Sequence, residues 1–412
     1  MDQQQNTCQE QNQKESDNRY DNQDQFSSQD KLKLRKQQDN QNKEQDIFEK
    51  LGVDKNIFSN ILKQQMNLDI CQDDIEKLEQ LTLNIDKIDY INQYIYTFKV
   101  AQTLNYLKNL QLNVNLSAQF SQNFIDQMNN LIATLQQILT LNIELKILNS
   151  TVIQTYLDPF GLAISNLKNL KTFHFQVNSQ GCNIELLDLT SFLQSINQLQ
   201  NLKDLSLIFN NFAKFQDQMA IFGKELKEIK NLSKLEIYFQ SNSQDYLDLA
   251  PMFQKLEIQN NLVQLSLGFE EGNIQSKGIE TVMKYLSKLP CLKQLKLIIR
   301  DCKLGHQGGQ AFKDGFQNLA NLEKLSLTLK NSYMGDIGYK SVSQGFSYLL
   351  KLKFIEIITE DNLGDDYYQY LTSSLQYLKY LTMARFSFHC YFGKKVFLKL
   401  MRSLRLVNLL KK

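Results

Sequence analysis

No tryptophan occurs in this chain of 412 residues, and histidine occurs three times. His174, His306 and His389 are too widely spaced for a His-x-x-x-His pair, and no Cys-x-x-Cys pair occurs. The usual spacing of metal ligands is therefore missing. Gly-x-Gly-x-x-Gly and Gly-Lys-Ser/Thr phosphate loops are absent, as are the His-Arg-Asp and Asp-Phe-Gly signatures of protein kinases. These absences argue against an enzyme, and no cofactor or metal is expected. Cys8, Cys71, Cys182, Cys291, Cys302 and Cys390 show no paired spacing and read as reduced thiols. The last four sit in or beside positions that favour a small buried residue. No apolar run is long enough to span a bilayer, and Met1-Asp2-Gln3 does not begin a secretory leader. The expected compartment is the cytoplasm, where the Asn-x-Ser/Thr triplets at Asn115, Asn149 and Asn231 have no consequence. A formal charge of +2 leaves no domain-wide basic footprint, which disfavours nucleic acid as a partner.

What the chain does contain is a repeat. Residues 201–350 divide into five lines of 30 residues with similar openings. They begin Asn201-Leu202-x-x-Leu205-x-Leu207-x-Phe209, Asn231-Leu232-x-x-Leu235-x-Ile237-x-Phe239 and Asn261-Leu262-x-x-Leu265-x-Leu267-x-Phe269. Cys291-Leu292-x-x-Leu295-x-Leu297-x-Ile299 and Asn321-Leu322-x-x-Leu325-x-Leu327-x-Leu329 follow. A constant interval decides the fold class before any other signal.

Within each line the apolar alternation has period two, the mark of a half-buried strand. Glycines follow at Gly278, Gly305, Gly308, Gly335 and Gly338, and the spacing then changes. Ile279, Val282, Met283, Leu286 and Leu289 fall at helical intervals, as do Phe312, Phe316 and Leu319, and then Val342, Phe346 and Leu349. Each line thus reads as strand, turn, helix and return. Ordering a line costs roughly 1–2 kcal/mol per residue, more than half a dozen buried side chains at about 1.5–3 kcal/mol each can offset. One line cannot fold alone; stacked lines can, each covering the apolar face of the next.

Cys302-x-Leu304-Gly305-x-x-Gly308, following Leu292-x-x-Leu295-x-Leu297, resembles the leucine-rich repeat of the ribonuclease-inhibitor-like subtype, and Asn362-Leu363-Gly364 repeats part of it. The resemblance implies an α/β solenoid, or horseshoe, with a concave parallel sheet and outer helices. The repeat here is longer than the family's usual one, as if the strand carried one more alternating pair. The family's Asn/Cys position reads Asn242, Gly272, Cys302, Ser332 and Asn362, so its side-chain ladder is incomplete. Looser turns are expected where the residue is Gly or Ser.

The repeats extend in both directions. Leu81-x-Leu83-x-Ile85, Leu110-x-Leu112-x-Val114, Leu141-x-Ile143-x-Leu145 and Phe173-x-Phe175-x-Val177 precede the regular block, and Ile355-x-Ile357 and Leu381-x-Met383 follow it. About eleven strands over residues 78–390, at about 4.8 Å each, predict a sheet on the order of 50 Å along its curve. Residues 1–46 are rich in Gln, Asn, Asp and Lys with few apolar side chains, and read as a disordered tail. Residues 47–77 read as an N-terminal helical cap. Asp54 can cap a helix bearing Ile57, Phe58, Ile61 and Leu62, and Asp73-Asp74 can start another with Ile75 and Leu78. An F-box adaptor pair would carry a Leu-Pro opening and Trp, and neither is present. Residues 391–412 read as a basic amphipathic C-terminal cap. Val396, Phe397, Leu400, Leu404 and Val407 can share one face, and seven Lys and Arg residues occur with no acid among them. A weak contact with an anionic membrane surface fits the same segment.

The expected role is a protein–protein interaction scaffold whose concave face receives a protein partner. One column of strand residues on that face reads Asn84, Asn113, Glu144, Gln176, Ile208, Tyr238, Gly268, Ile298, Thr328 and Ile358. Ile208, Tyr238, Ile298 and Ile358 form the candidate partner-binding stripe, because apolar side chains repeated along an exposed line suit an interface. Strand propensity alone also favours such residues. Two alternatives stand beside it, the first implied by the resemblance. One is a GTPase-activating protein, a role of one branch of this repeat subtype, although that branch typically ends in an acidic tail and this chain ends basic. The other is a structural component of a cytoskeletal or ciliary assembly. His174 on the exposed side of its strand and Asp365-Asp366 in a turn read as solvated polar residues rather than ligands.

Overall fold

The computed structural model describes residues 77–388, apart from 86–90, 117–121, 148–152, 180–187, 213–214, 242–245, 257–259 and 362. The polar tail 1–46, the helical cap 47–77 up to its last residue, and the basic segment 391–412 lie outside the described residues. So do Cys8, Cys71, Cys182, Asn242, Asn362, His389 and Cys390.

Eleven strands alternate with ten helices among the described residues. The first half runs β1 Gln80–Ile85, α1 Ile91–Ala101, β2 Asn109–Leu116, α2 Gln122–Thr134, β3 Thr140–Ile147, α3 Ile153–Ser165, β4 Thr172–Ser179, α4 Thr190–Asn197 and β5 Asp204–Phe212. The second half runs α5 Gln216–Glu228, β6 Lys234–Ser241, α6 Ala250–Leu256, β7 Gln264–Glu270, α7 Gln275–Leu286, β8 Gln294–Arg300 and α8 Gly305–Phe316. It closes with β9 Lys324–Lys330, α9 Gly335–Phe346, β10 Phe354–Thr359, α10 Asp365–Leu375 and β11 Met383–Phe388. The strands form one sheet in sequence order, and every pair is parallel. Parallel neighbours need a crossover, and each helix supplies one. The result is an α/β horseshoe-type repeat solenoid.

Register follows the leucines. Leu81, Leu110, Leu141, Phe173, Leu205, Leu235, Leu265, Leu295, Leu325 and Ile355 stand in one row across β1 to β10. All are buried, as are their partners two and four residues on through β9. Phenylalanine takes the innermost place in the middle of the stack. Phe209, Phe239 and Phe269 meet in sequence at centroid distances of 6.0 and 6.4 Å. Phe175 lies 4.7 Å from Phe192 of α4. Aromatic edges and faces at these separations add to the area they bury.

The last strand departs from expectation. Ile355 pairs with Ala384 and Ile357 with Phe386, so the inward row is Ala384, Phe386 and Phe388 rather than Leu381 and Met383. Leu381 lies in the return turn instead, its N–H donating to Leu378 O at 3.1 Å as that of Leu352 does to Leu349 O at 2.9 Å. The return turn is counted from the helix end, so the strand alternation begins three residues after Leu381.

The strand-to-helix turns are built alike in three consecutive repeats. Left-handed backbone recurs at Glu271, Asn273 and Gln275, at Asp301, Lys303 and Gly305, and at Asn331, Tyr333 and Gly335. Gly305 and Gly335 have φ of 61° and 59°, values a glycine adopts without Cβ strain. The turn at Ser332 is not loose. Ser332 is fully buried, and its N–H donates to both oxygens of Asp361 at 3.1 and 3.2 Å. The carboxylate, which comes from the next repeat, holds the turn in place. Cys302 is buried and donates its thiol to Arg300 O at 3.0 Å, and burial pushes that thiol up to about 12. Cys291 does not fit its expected burial: it is exposed in a return turn.

The opening asparagines supply a ladder at the opposite edge. Side chains of Asn169, Asn201, Asn231, Asn261 and Asn321 donate to carbonyls of Gln136, Lys168, Gln200, Lys230 and Pro290, at 2.7–3.3 Å. Gln137 does the same to Leu104 O at 2.9 Å. Each bond ties one return turn to the return turn of the repeat before it, satisfying a carbonyl just beyond the helix end.

Helix spacing is set by small residues. A Cβ added at Gly309 of α8 would lie 2.5 Å from Gly338 Cα of α9, backbone against backbone. Gly309→Ala is therefore expected to destabilise the protein by about 1–3 kcal/mol, the usual cost of overpacking, measured by urea unfolding. An unchanged midpoint would mean that α8 and α9 can separate freely.

Candidate partner-binding face

Buried and half-exposed residues alternate along the strands, which places the helices on one face and leaves the other open among the described residues. The open face carries four columns. The one that holds the candidate stripe runs Asn84, Asn113, Glu144, Gln176, Ile208, Tyr238, Gly268, Ile298, Thr328, Ile358 and Ser387. Ile208, Tyr238, Ile298 and Ile358 are thus in register, and each is half-buried.

Gly268 looks like a gap in the stripe, but the Tyr238 ring fills it. A Cβ at Gly268 would clash with that ring, so Tyr238 lies flat across β7. Its hydroxyl donates to Glu270, whose other neighbour is Arg300 at 3.5 Å. Burial, and then the bond to Glu270, raise the phenol above its ordinary value. Tyr238 stays neutral, and the apolar surface continues from Ile208 to Ile298. Thr328, between Ile298 and Ile358, is buried.

The neighbouring column is polar: Thr82, Gln111, Asn142, His174, Ser206, Glu236, Ser266, Lys296, Ser326, Glu356 and Arg385. Ser206 and Ser266 donate to the two oxygens of Glu236 at 2.9 and 3.2 Å. Ser326 donates to Glu356 at 2.6 Å, and Arg385 approaches the same carboxylate at 3.8 Å. Burial lowers the His174 imidazole from its ordinary value, against the opposing pull of Asp204 and Glu236. Ser266 and Ser326 are small beside Lys296 and leave a depression of about 320 Å³, walled also by Lys234, Glu236, Lys324 and Phe354.

Over β1 to β4 the face is largely amide, with Asn113 donating to Asn84 at 2.6 Å and Asn178 to Glu144 at 3.1 Å. Over β6 to β10 it is charged. Lys234 meets Asp204 at 2.9 Å, and Lys330 meets Glu360 at 2.7 Å. Asp366 is exposed near the start of α10, and His306 lies in an outer cleft beside α7 and α9. Among the described residues no group of three or more His, Cys, Asp or Glu could hold a metal ion. Among the same residues no helix is long and apolar enough to cross a membrane.

The serine–glutamate bonds and the Tyr238 cover were not anticipated from the sequence. The recurrence of Ser at 206, 266 and 326 was the available signal for the first. No family model matches the chain, and no curated protein matches it.

Proposed function

We propose that the chain is a non-catalytic scaffold of the leucine-rich-repeat class, ribonuclease-inhibitor-like subtype, that binds a partner protein across the open face of its sheet. The turn Cys302-x-Leu304-Gly305-x-x-Gly308 supports the class, with its buried thiol and left-handed glycine. One observation carries the function: the apolar stripe Ile208, Tyr238, Ile298 and Ile358 lies in register on the face that no helix covers among the described residues. A parallel sheet is ordinarily covered on both faces, so an open one bearing an apolar line is suited to a partner.

Tyr238→Ala combined with Ile298→Ser is expected to weaken partner binding by about 2 kcal/mol or more, the range of interface hot spots. Circular dichroism should remain that of the parent. Gln310→Ala with Asp314→Ala, on the outer surface of α8, should leave binding unchanged. Equal behaviour of the two pairs in calorimetry would reduce the stripe to strand propensity.

A further inference from the structure

Strands β8 and β9 present four cations to the open face, Lys296, Arg300, Lys324 and Lys330, and no acid. Two of the four are neutralised from the neighbouring repeats. Arg300 approaches Glu270 at 3.5 Å, and Lys330 pairs with Glu360 at 2.7 Å. The other two are not. The nearby carboxylates are already engaged, Glu236 by Ser206 and Ser266, and Glu356 by Ser326 and Arg385. Lys296 and Lys324 are exposed and meet no carboxylate among the described residues. They are diagonal neighbours in the register, since Lys296 pairs with Ser326 and Gln294 with Lys324. Both line the same depression of about 320 Å³, together with Phe354.

We infer that this depression receives an acidic segment of the partner, a Glu- or Asp-bearing stretch whose carboxylates sit on Lys296 and Lys324 while its apolar side chains lie on Ile298 and the Tyr238 ring. The inference rests on the binding face proposed above and adds the chemistry of its occupant. Charge complementarity selects the acid: the carboxylates of this part of the face have partners, and these two lysines do not. Arrangement supports a peptide, because Lys296 and Ile298 point to the same side of one strand two residues apart. An extended segment crossing β8 and β9 could place one residue beside Lys296 and the next on the apolar column. Two cations are too few for the multiple phosphate contacts that nucleic acid needs.

The test uses the full chain and three labelled peptides of about a dozen residues, longer than the roughly six that an extended segment needs to cross β6 to β10. They are identical except for glutamate, glutamine or lysine at alternate positions between leucine and serine. Fluorescence anisotropy should show the glutamate peptide binding tightest. Its affinity should fall about fivefold or more in Lys296→Gln with Lys324→Gln, consistent with two exposed ion pairs, and fall on addition of salt. Lys296→Glu with Lys324→Glu should reverse the preference toward the lysine peptide, a gain that misfolding cannot imitate. Equal affinity for the glutamate and glutamine peptides, or no change in either lysine variant, would overturn the inference. A single-stranded oligonucleotide bound more tightly than the glutamate peptide would overturn it too. If all peptides bind alike but are lost in Tyr238→Ala with Ile298→Ser, the face remains a binding surface and only the acidic preference falls. If that variant also changes nothing, both proposals fall together.

Discussion

Leu265→Asp is expected to cost several kcal/mol and to open the stack locally. Leu265 is 2% exposed and stands in register between Leu235 of β6 and Leu295 of β8, with Phe269 and the α7 residue Ile279 also buried in that repeat. An aspartate there has no cation among its buried neighbours. Its unpaired burial is opposed by several kcal/mol, which the chain relieves by exposing the strand. In a stack of repeats each unit depends on its immediate neighbours. Amide hydrogen exchange should therefore lose protection first over residues 231–320, while β2 to β4 stay protected. Loss spread evenly over all eleven strands would show that the sheet behaves as one cooperative unit instead.

Asp361→Ala is expected to cost about 3 kcal/mol, because it removes a charged acceptor from donors that cannot reach water. Ser332 and Tyr339 are fully buried. Tyr339 donates to Asp361 at 2.9 Å and lies 2.9 Å from the Thr359 hydroxyl. The Ser332 hydroxyl and N–H converge on the same carboxylate. Without it, the turn after β9 loses its tie to the following repeat. Asp361→Asn keeps one acceptor and should lose less. Urea unfolding of both variants, with tyrosine fluorescence as the probe, measures the difference. An alanine variant as stable as the parent would show that Thr359 and Ser332 satisfy the Tyr339 hydroxyl without the carboxylate.

The fold was legible because its strongest signal is also its strongest constraint. Leu205, Leu235, Leu265, Leu295 and Leu325 recur at one interval because each must fill the same place between a strand and a helix. Where the signal is double, the reading slips: Leu381, Met383, Ala384, Phe386 and Phe388 contain two apolar alternations, and only the return-turn hydrogen bonds select the second. The asparagine ladder was hidden in a chain where asparagine is common everywhere, although its members recur at the repeat interval. At the candidate site the column of residues could be written from the alternation, and the register agrees with it. What the alternation does not contain is where long side chains go across strands. Tyr238 reaching over Gly268 to Glu270, and serine hydroxyls holding Glu236, belong to that kind of information.

Site-specific photo-crosslinking tests the binding face most directly. A photoreactive phenylalanine is placed at Ile298 or Ile358 on the open face, and separately at Gln310 or Asp314 on the outer surface of α8. Irradiation in extract from the native source, followed by mass spectrometry, identifies what lies within contact distance of each. Saturable adducts with one protein from the open-face positions, and none from the helix positions, are the expected result. Adducts confined to the helix positions would contradict the assignment and move the interface to the outer surface.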